Sequence, residues 1–575
     1  MRKRPAAHGP AAVAARVCRP LIFRMPARIP TGGPGRRAMK TAPATTTVVD
    51  WIKRDFEVIN LGIFFDAALD AHPDRIAVID LSEAEPHQYT YAELESEVRR
   101  AALALAAAGV KKRERLIVSI PNGVRFLAAF LGALRIATIP VPINFRLGAD
   151  QLRSIVRDTG ARAIVGSPRL TAACCDIADR LGMEIKLSVD VARPGWIDYR
   201  SLSASQPDKR VVEPMAFDDI AFQPYTSGTT GTPKGIALTH GGMIWGIEHS
   251  QKYWPLSPSD RVIVAAPMFH KNAMRGSVKP SLRAGASLVI MRSFEARSYM
   301  QAIADHKVTS ASGVATMFAE ILRQTDLLQS LDFSSLKRIS MGSAIVPPEL
   351  IERLERTFKI GVRESFGLTE GGGALRQPLD GRVPPRGSVG LVAPELEVRL
   401  VDADGKESDL GECWIRSPYV LKEYVNLPEL TRERIVDGWL RTGDMLRRDA
   451  DGFHYYVTRI DDMFSCGGEN IYPKEVENLA LKHPDVANAA VAPLKHDTKG
   501  LAPAAMIMLK KGKTLSEAEL QDFFAHNGPA YAIPRAILFV DAIPLNGAGK
   551  VDRPGIRKTL EEKFGMLQSR GIGRA

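Results

Sequence analysis

Residues 225–235 read Tyr-Thr-Ser-Gly-Thr-Thr-Gly-Thr-Pro-Lys-Gly, which sets the hydroxyls of Thr226, Ser227, Thr229 and Thr230 around Gly228 and Gly231 and ends on Lys234. Glycines let a backbone turn tightly, so that amide N–H groups and hydroxyls converge on an anion. Lys234 adds a mobile positive charge. The chemistry that suits this set is phosphate binding. The common nucleotide P-loop is excluded, because Pro233 stands where its Gly-Lys-Ser/Thr ending requires glycine. Composition alone would also permit a flexible Ser/Thr/Gly linker, but eleven residues in this order set that reading aside.

The elements that would position such a loop alternate along the chain. Leu116–Ile120, 163–165, 262–266 and 288–291 are short apolar runs of strand length, and helical periodicity follows over 125–137, 299–306 and 316–324. A strand-like run, 220–224, leads directly into the loop. This pattern predicts an α/β fold: a large N-terminal domain with largely parallel sheets, over residues 46–460. Within it, 395–460 has short strands and acidic turns and reads as a β-rich subdomain. A new pattern begins after Arg459, with helices expected near 473–482 and 516–526, which predicts a small, mobile C-terminal α+β domain over 461–560 and a tail over 561–575.

At 575 residues the chain is too long for one core. Its net charge of +12 suggests nucleic acid or a membrane surface until its distribution is read. Ten of the 77 Lys and Arg fall in residues 1–40, which hold no Asp or Glu, so the rest of the chain is close to neutral. Residues 1–45 read as a basic disordered tail or a mis-assigned start, with Met25 or Met39 as alternative first residues; an organellar transit peptide is the competing reading. Phe23 is the tail's sole aromatic residue, so base stacking has no support and no nucleic-acid partner is expected. The longest apolar stretch, 126–143, is broken by Arg135 and Pro140 and reads as a buried helix and strand, with no membrane span. Five cysteines, Cys18, Cys174, Cys175, Cys413 and Cys466, lack metal-ligand spacing and suit reduced thiols in a cytoplasmic protein.

The loop at 225–235 resembles the phosphate-binding signature of the adenylate-forming (AMP-binding) superfamily, of acyl- and aryl-CoA ligase type. Four further motifs follow in that family's order, and the resemblance spans roughly 55–560. In Glu364-Ser-Phe-Gly-Leu-Thr-Glu370 it implies that Phe366 lies against adenine, with Glu364, Ser365 and Gly367 beside it, that Thr369 contacts the α-phosphate and that Glu370 holds Mg²⁺. The family most often carries Tyr where Phe366 stands; stacking survives that change and a hydroxyl is lost. In Asp437-Gly-Trp-Leu-Arg-Thr-Gly-Asp444 it implies ribose hydroxyls bound by Asp444. In the segment 458–473, Arg459 would reach ribose or phosphate, Asp461 would be the hinge of the C-terminal domain, and Gly467 and Gly468 would leave room for the pantetheine of coenzyme A. In Pro544-Leu-Asn-Gly-Ala-Gly-Lys550, Lys550 would bridge the substrate carboxylate and the α-phosphate. The same segment resembles sites at which an acetyltransferase silences such ligases, which implies a lysine acetyltransferase acting on Lys550.

The resemblance therefore implies ATP, Mg²⁺ and coenzyme A, and two half-reactions. A carboxylate attacks the α-phosphorus of ATP and releases pyrophosphate; a thiolate then takes the acyl group and AMP leaves. The catalytic set would be Lys550, Thr226 and Glu370, neutralising charge that develops in the first step. The acyl pocket is expected around His270, Lys271, Met274, Gly342, Ser343, Ala344, Gly367, Leu368 and Gly371. Two readings of His270 stand: a boundary between acyl site and thiol tunnel, or a packed residue. The polar run Lys271-Asn-Ala-Met-Arg275 suggests a short or polar acid, such as a hydroxy acid or a dicarboxylate, unless Lys271 and Arg275 face solvent or the nucleotide of CoA. Two other functions compete: a stand-alone adenylation enzyme that loads a carrier protein, and a non-catalytic AMP or acyl sensor. The sensor predicts eroded catalytic positions, whereas Thr226, Lys234, Glu370, Asp444, Arg459 and Lys550 are all intact.

Overall fold

The computed structural model describes residues 58–147, 149–227, 233–270, 273–342, 346, 348–378, 382–466, 469–529, 532–545 and 551–567. Strands Val362–Ser365, Arg338–Gly342, Ser310–Gly313, Arg261–Val264, Ser287–Met291 and Ile76–Leu81 line up in that order as a parallel sheet, and His87–Thr90 closes its edge antiparallel. The apolar runs of the central strands Arg261–Val264, Ser287–Met291 and Ile76–Leu81 are buried on both faces, as parallel strands covered by helices must be. A second parallel sheet runs Ile139–Pro142, Arg115–Ser119, Ala163–Gly166, Ile185–Ser188 and Ile197–Asp198. The alternation read from the sequence thus produces the expected α/β architecture, with strand ends shifted by one or two residues.

Between the sheets lies the helix Val124–Arg135, eleven of whose twelve residues are buried. It packs on the helix Tyr91–Ala107, which opens with a capping box between Thr90 and Glu93. The two backbones approach so closely that a Cβ on Gly132 would lie 2.7 Å from the Ala102 amide nitrogen. Arg135, whose side chain is fully buried, ends the helix. It donates two 2.6 Å hydrogen bonds to Glu95 and one of 3.0 Å to the Gly62 carbonyl. The apolar stretch 126–143 is therefore a core helix and strand, and no helix among the described residues is long and apolar enough to cross a membrane.

The segment 388–459 forms the expected β-rich unit: Ser388–Val392, His454–Arg459, Trp439–Arg448, Leu410–Arg416 and Glu397–Val401 pair antiparallel in that order. A single helix, Pro428–Arg434, interrupts it. Beyond a 3₁₀ turn at Ile460–Asp462, strands from Phe464 to Phe539 and three helices surround a hydrophobic core of their own, which runs from Phe464 to Leu567. The chain thus has a large N-terminal domain and a smaller C-terminal one. Cys174, Cys175, Cys413 and Cys466 are buried free thiols; burial pushes Cys174 up to about 11 and Cys175 up to about 12.

Candidate active site

The carboxyl ends of parallel strands are where an α/β sheet presents its loops, and ligands gather there. Three candidate segments leave the same edge of the large sheet. Residues 265–275 follow Arg261–Val264, Gly342 ends its own strand, and Phe366 follows Val362–Ser365. The first segment is held by Asn122, whose side-chain amide donates to the Ala266 and Met291 carbonyls and whose oxygen accepts from Met268 N–H. His270 is half-buried at its turn, and Met274 is buried in the π-helical turn that follows. Gly342 faces Ser365 in register, so close that a Cβ would meet Ser365 Oγ at 2.7 Å.

Phe366 is buried and leads into a tight turn. Leu368 and Gly372 exchange backbone hydrogen bonds of 2.9 and 3.0 Å, which puts Thr369, Glu370 and Gly371 at the tip. Gly372 has φ +72°, and a Cβ there would collide with the Tyr419 ring at 2.7 Å, so glycine is required on both counts. The Glu370 carbonyl accepts from Leu421 N–H at 2.7 Å, which ties the turn to the neighbouring loop. The Glu370 carboxylate is half-buried and has no hydrogen bond or ion pair among the described residues. Burial pushes the Glu364 carboxyl up to about 7.

The β-rich unit brings the next pair against this turn. Asp444 and Arg459 are register partners on antiparallel strands, with Arg459 Nε 3.7 Å from Asp444 Oδ1. Thr442 organises both: its hydroxyl receives Asp444 N–H at 3.0 Å and its carbonyl receives Arg459 Nη2 at 3.2 Å. Tyr456, three residues before Arg459, sets its ring 6.3 Å from that of Phe366 at a 41° tilt. Burial, and then the Asp444 charge, drive the Tyr456 phenol well above its ordinary value. Tyr456 therefore joins Phe366 to the strand His454–Arg459, on which Arg459 pairs with Asp444. Sequence reasoning passed over this tyrosine; its position on an alternating strand that also carries Arg459 was the available signal.

The phosphate-binding segment differs from a bare glycine loop. Tyr225–Ser227 and Pro233–Thr239 form an antiparallel hairpin in which Thr226 faces Lys234. Tyr225 anchors it, donating its hydroxyl to Asp158 at 2.5 Å and accepting from Gln223 at 3.0 Å. Gly228, Thr229, Thr230 and Gly231 lie outside the described residues, as do Lys271, Ser343, Ala344, Gly467, Gly468 and Lys550. Of Asp461, the structure describes the backbone, within the 3₁₀ turn Ile460–Asp462.

A parallel sheet presenting these loops, a β-rich unit against them and a small C-terminal domain with its own core define an adenylate-forming enzyme fold. The chain belongs to the AMP-binding enzyme family: that family's model matches residues 65–425, and the model for the AMP-binding enzyme C-terminal domain matches 475–550. It is similar to an indoleacetate–CoA ligase of Aromatoleum aromaticum, 31% identical over 84% of this chain and 95% of that one. A feruloyl-CoA synthase of an Amycolatopsis species is 31% identical over 82% and 93%. Among solved structures, ATP-bound MatB from Rhodopseudomonas palustris superposes with a TM-score of 0.80 at 26% identity, over 88% of this chain and all of that one.

Proposed function

We propose that the protein is an ATP-dependent carboxylic acid–CoA ligase that works through an acyl-AMP intermediate and releases AMP and pyrophosphate. The observation that supports this reading is the ring contact of Phe366 with Tyr456, which joins the turn carrying Thr369 and Glu370 to the strand whose Arg459 pairs with Asp444. An aromatic face, a hydroxyl, and a carboxylate–guanidinium pair are what adenine, the α-phosphate and ribose need. Relatives at about a third identity that cover the whole fold are named CoA ligases, which supports the thiol as second substrate.

In the first half-reaction Phe366 stacks on adenine and Asp444 accepts hydrogen bonds from the ribose hydroxyls. Thr226 and Lys234, held opposite each other by the hairpin, face the phosphates. Carboxylates are weak nucleophiles, so positioning and charge neutralisation supply most of the acceleration. Lys550 brings a positive charge to the α-phosphate and the substrate carboxylate. Glu370 fits a divalent cation bound mainly by phosphate oxygens: its carboxylate stands at the tip of a turn, uncommitted among the described residues, and no cluster of three or more His, Cys, Asp or Glu surrounds it. Mg²⁺ there would neutralise phosphate charge. For the second half-reaction the C-terminal domain turns about Asp461, withdraws Lys550 and brings Gly467 and Gly468 to the site, a hinge-type motion. His270 and Met274 line the acyl side.

ATP–pyrophosphate exchange across fatty, aromatic, hydroxylated and dicarboxylic acids, repeated with CoA, tests the reading. Acid-dependent exchange with AMP release on adding CoA is the expected result. Exchange without CoA-dependent turnover would transfer the second step to a carrier protein, and nucleotide binding without exchange would replace the enzyme by a sensor.

A further inference from the structure

Arg275 is half-buried, with its guanidinium turned inward. Its Nε is buried without a hydrogen-bond partner, and its guanidinium lies 5.7 Å from the centroid of the buried Tyr419 ring. The fork rests on the bare backbone of the 366–373 turn. A Cβ on Gly367 would lie 2.7 Å from Arg275 Nη1, and one on Gly373 would overlap Arg275 Nη2 and approach Arg376 Nη1 to 2.7 Å. Gly367 and Gly373 thus make room for two guanidinium groups that are each other's neighbours. Arg376 donates from Nε to His249 Nε2 at 3.1 Å, so that histidine accepts as a neutral ring. Glu395 is the carboxylate next in line, 3.8 Å beyond His249 Nδ1, and it is already committed to Lys252 and to the Tyr253 hydroxyl. Lys279, 2% exposed, lies over the Phe222 ring with Nζ 3.9 Å from Met243 Sδ, and no carboxylate pairs with it among the described residues.

Two half-buried guanidinium groups and the buried Lys279 therefore lie near one another with no carboxylate paired to them among the described residues. Their mutual influence is visible: burial and then Arg275 push Arg376 down to about 9 and Lys279 down to about 7. Withdrawing a charge from water without a partner is costly, because its lost hydration is not replaced. A fold keeps such a cluster where a ligand completes it, and a planar guanidinium fork matches a carboxylate.

We propose that the acid activated by this enzyme is a dicarboxylic acid, whose far carboxylate docks between Arg275 and Arg376 while its other carboxylate is adenylated. This rests on the ligase reading above. The sequence allowed Arg275 to face solvent or the nucleotide of CoA; its inward packing on Gly367 and Gly373 favours the acid.

Pyrophosphate exchange without CoA isolates the acid from the phosphates of CoA. Matched pairs are compared: succinate with butanoate, adipate with hexanoate, terephthalate with benzoate. For the best pair, kcat/KM is expected to favour the dicarboxylate by on the order of 100-fold or more, as for sites whose buried polar groups require a partner. Arg275→Met and Arg376→Met are each expected to cut that ratio by at least about tenfold. Preference for the monocarboxylate in every pair, or a ratio that survives both substitutions, overturns the proposal and leaves the ligase reading standing. If neither variant folds, the wild-type ratio alone decides. No exchange with any of the six acids, in protein that binds ATP, removes the ligase reading and this inference with it.

Discussion

Arg459 and Asp444 face each other across two antiparallel strands, Nε to Oδ1 at 3.7 Å, and Thr442 holds both, Asp444 through its hydroxyl and Arg459 through its carbonyl. At that separation the contact is an ion pair and not a hydrogen bond. Asp444→Asn keeps the shape and removes the charge. Charge-assisted hydrogen bonds are worth about 1.5–3 kcal/mol, so KM for ATP in pyrophosphate exchange should rise about 10–100-fold. An unchanged KM would remove Asp444 from the nucleotide site.

On the proposed mechanism, Lys550 serves the first half-reaction and Asp461 the passage to the second. Losing one preorganised charge contact costs ~2.7–4 kcal/mol of barrier, so Lys550→Ala should slow acyl-AMP formation by at least about two orders of magnitude. Asp461→Pro should leave acyl-AMP formation intact and impair thioester formation. Equal loss of both steps in Asp461→Pro, read by single-turnover assays of each, would contradict the hinge.

Glu364 makes the protein's stability depend on pH. Burial raises its carboxyl to about 7 from the ordinary 4.5, so between those values the folded state holds a proton that the unfolded state releases. Its contribution is present below pH 4.5 and is lost as pH rises through 7. Glu364→Gln should therefore gain stability relative to wild type across that window and keep the gain above it. Urea titrations at pH 5, 6, 7 and 8 (chosen to span roughly the window in question) measure this, and a constant difference would refute it.

Arg135 pins the first core through Glu95. Arg135→Met would break the buried pair and leave that carboxylate with Arg99 as its partner, Nε to Oε1 at 2.7 Å, so the cost should lie at or below about 3–5 kcal/mol. The double variant Arg135→Met/Glu95→Leu removes both charges and should recover most of the loss. A double variant as unstable as the single one would show that packing, and not charge pairing, makes Arg135 necessary.

Local patterns were legible without any structure. The runs at 116–120, 163–165, 262–266 and 288–291 became strands because continuous apolar stretches of that length are buried on both faces of a parallel sheet. Arg135 and Pro140 in the stretch 126–143 correctly marked a core helix and strand. Ser516 and Glu519 form the capping box that starts the helix expected near 516–526. The loop at 225–235 was legible as a motif, but its hairpin was not, because Thr226–Lys234 pairing depends on Tyr225 reaching Asp158.

What sequence alone determined was therefore the class of fold and the order of the motifs, since strand length, apolar period and glycine placement act over a few neighbouring residues. Which residues meet was decided by tertiary structure. Tyr456 reaches Phe366 because a strand of the β-rich unit is laid against the turn after Ser365. Arg275, read from its neighbours as a polar residue of open orientation, turns its guanidinium inward because Gly367 and Gly373, roughly a hundred residues later, provide the bare backbone on which its fork can rest. No local pattern encodes that meeting, because the charge and the space that receives it lie in segments that follow different strands of the sheet.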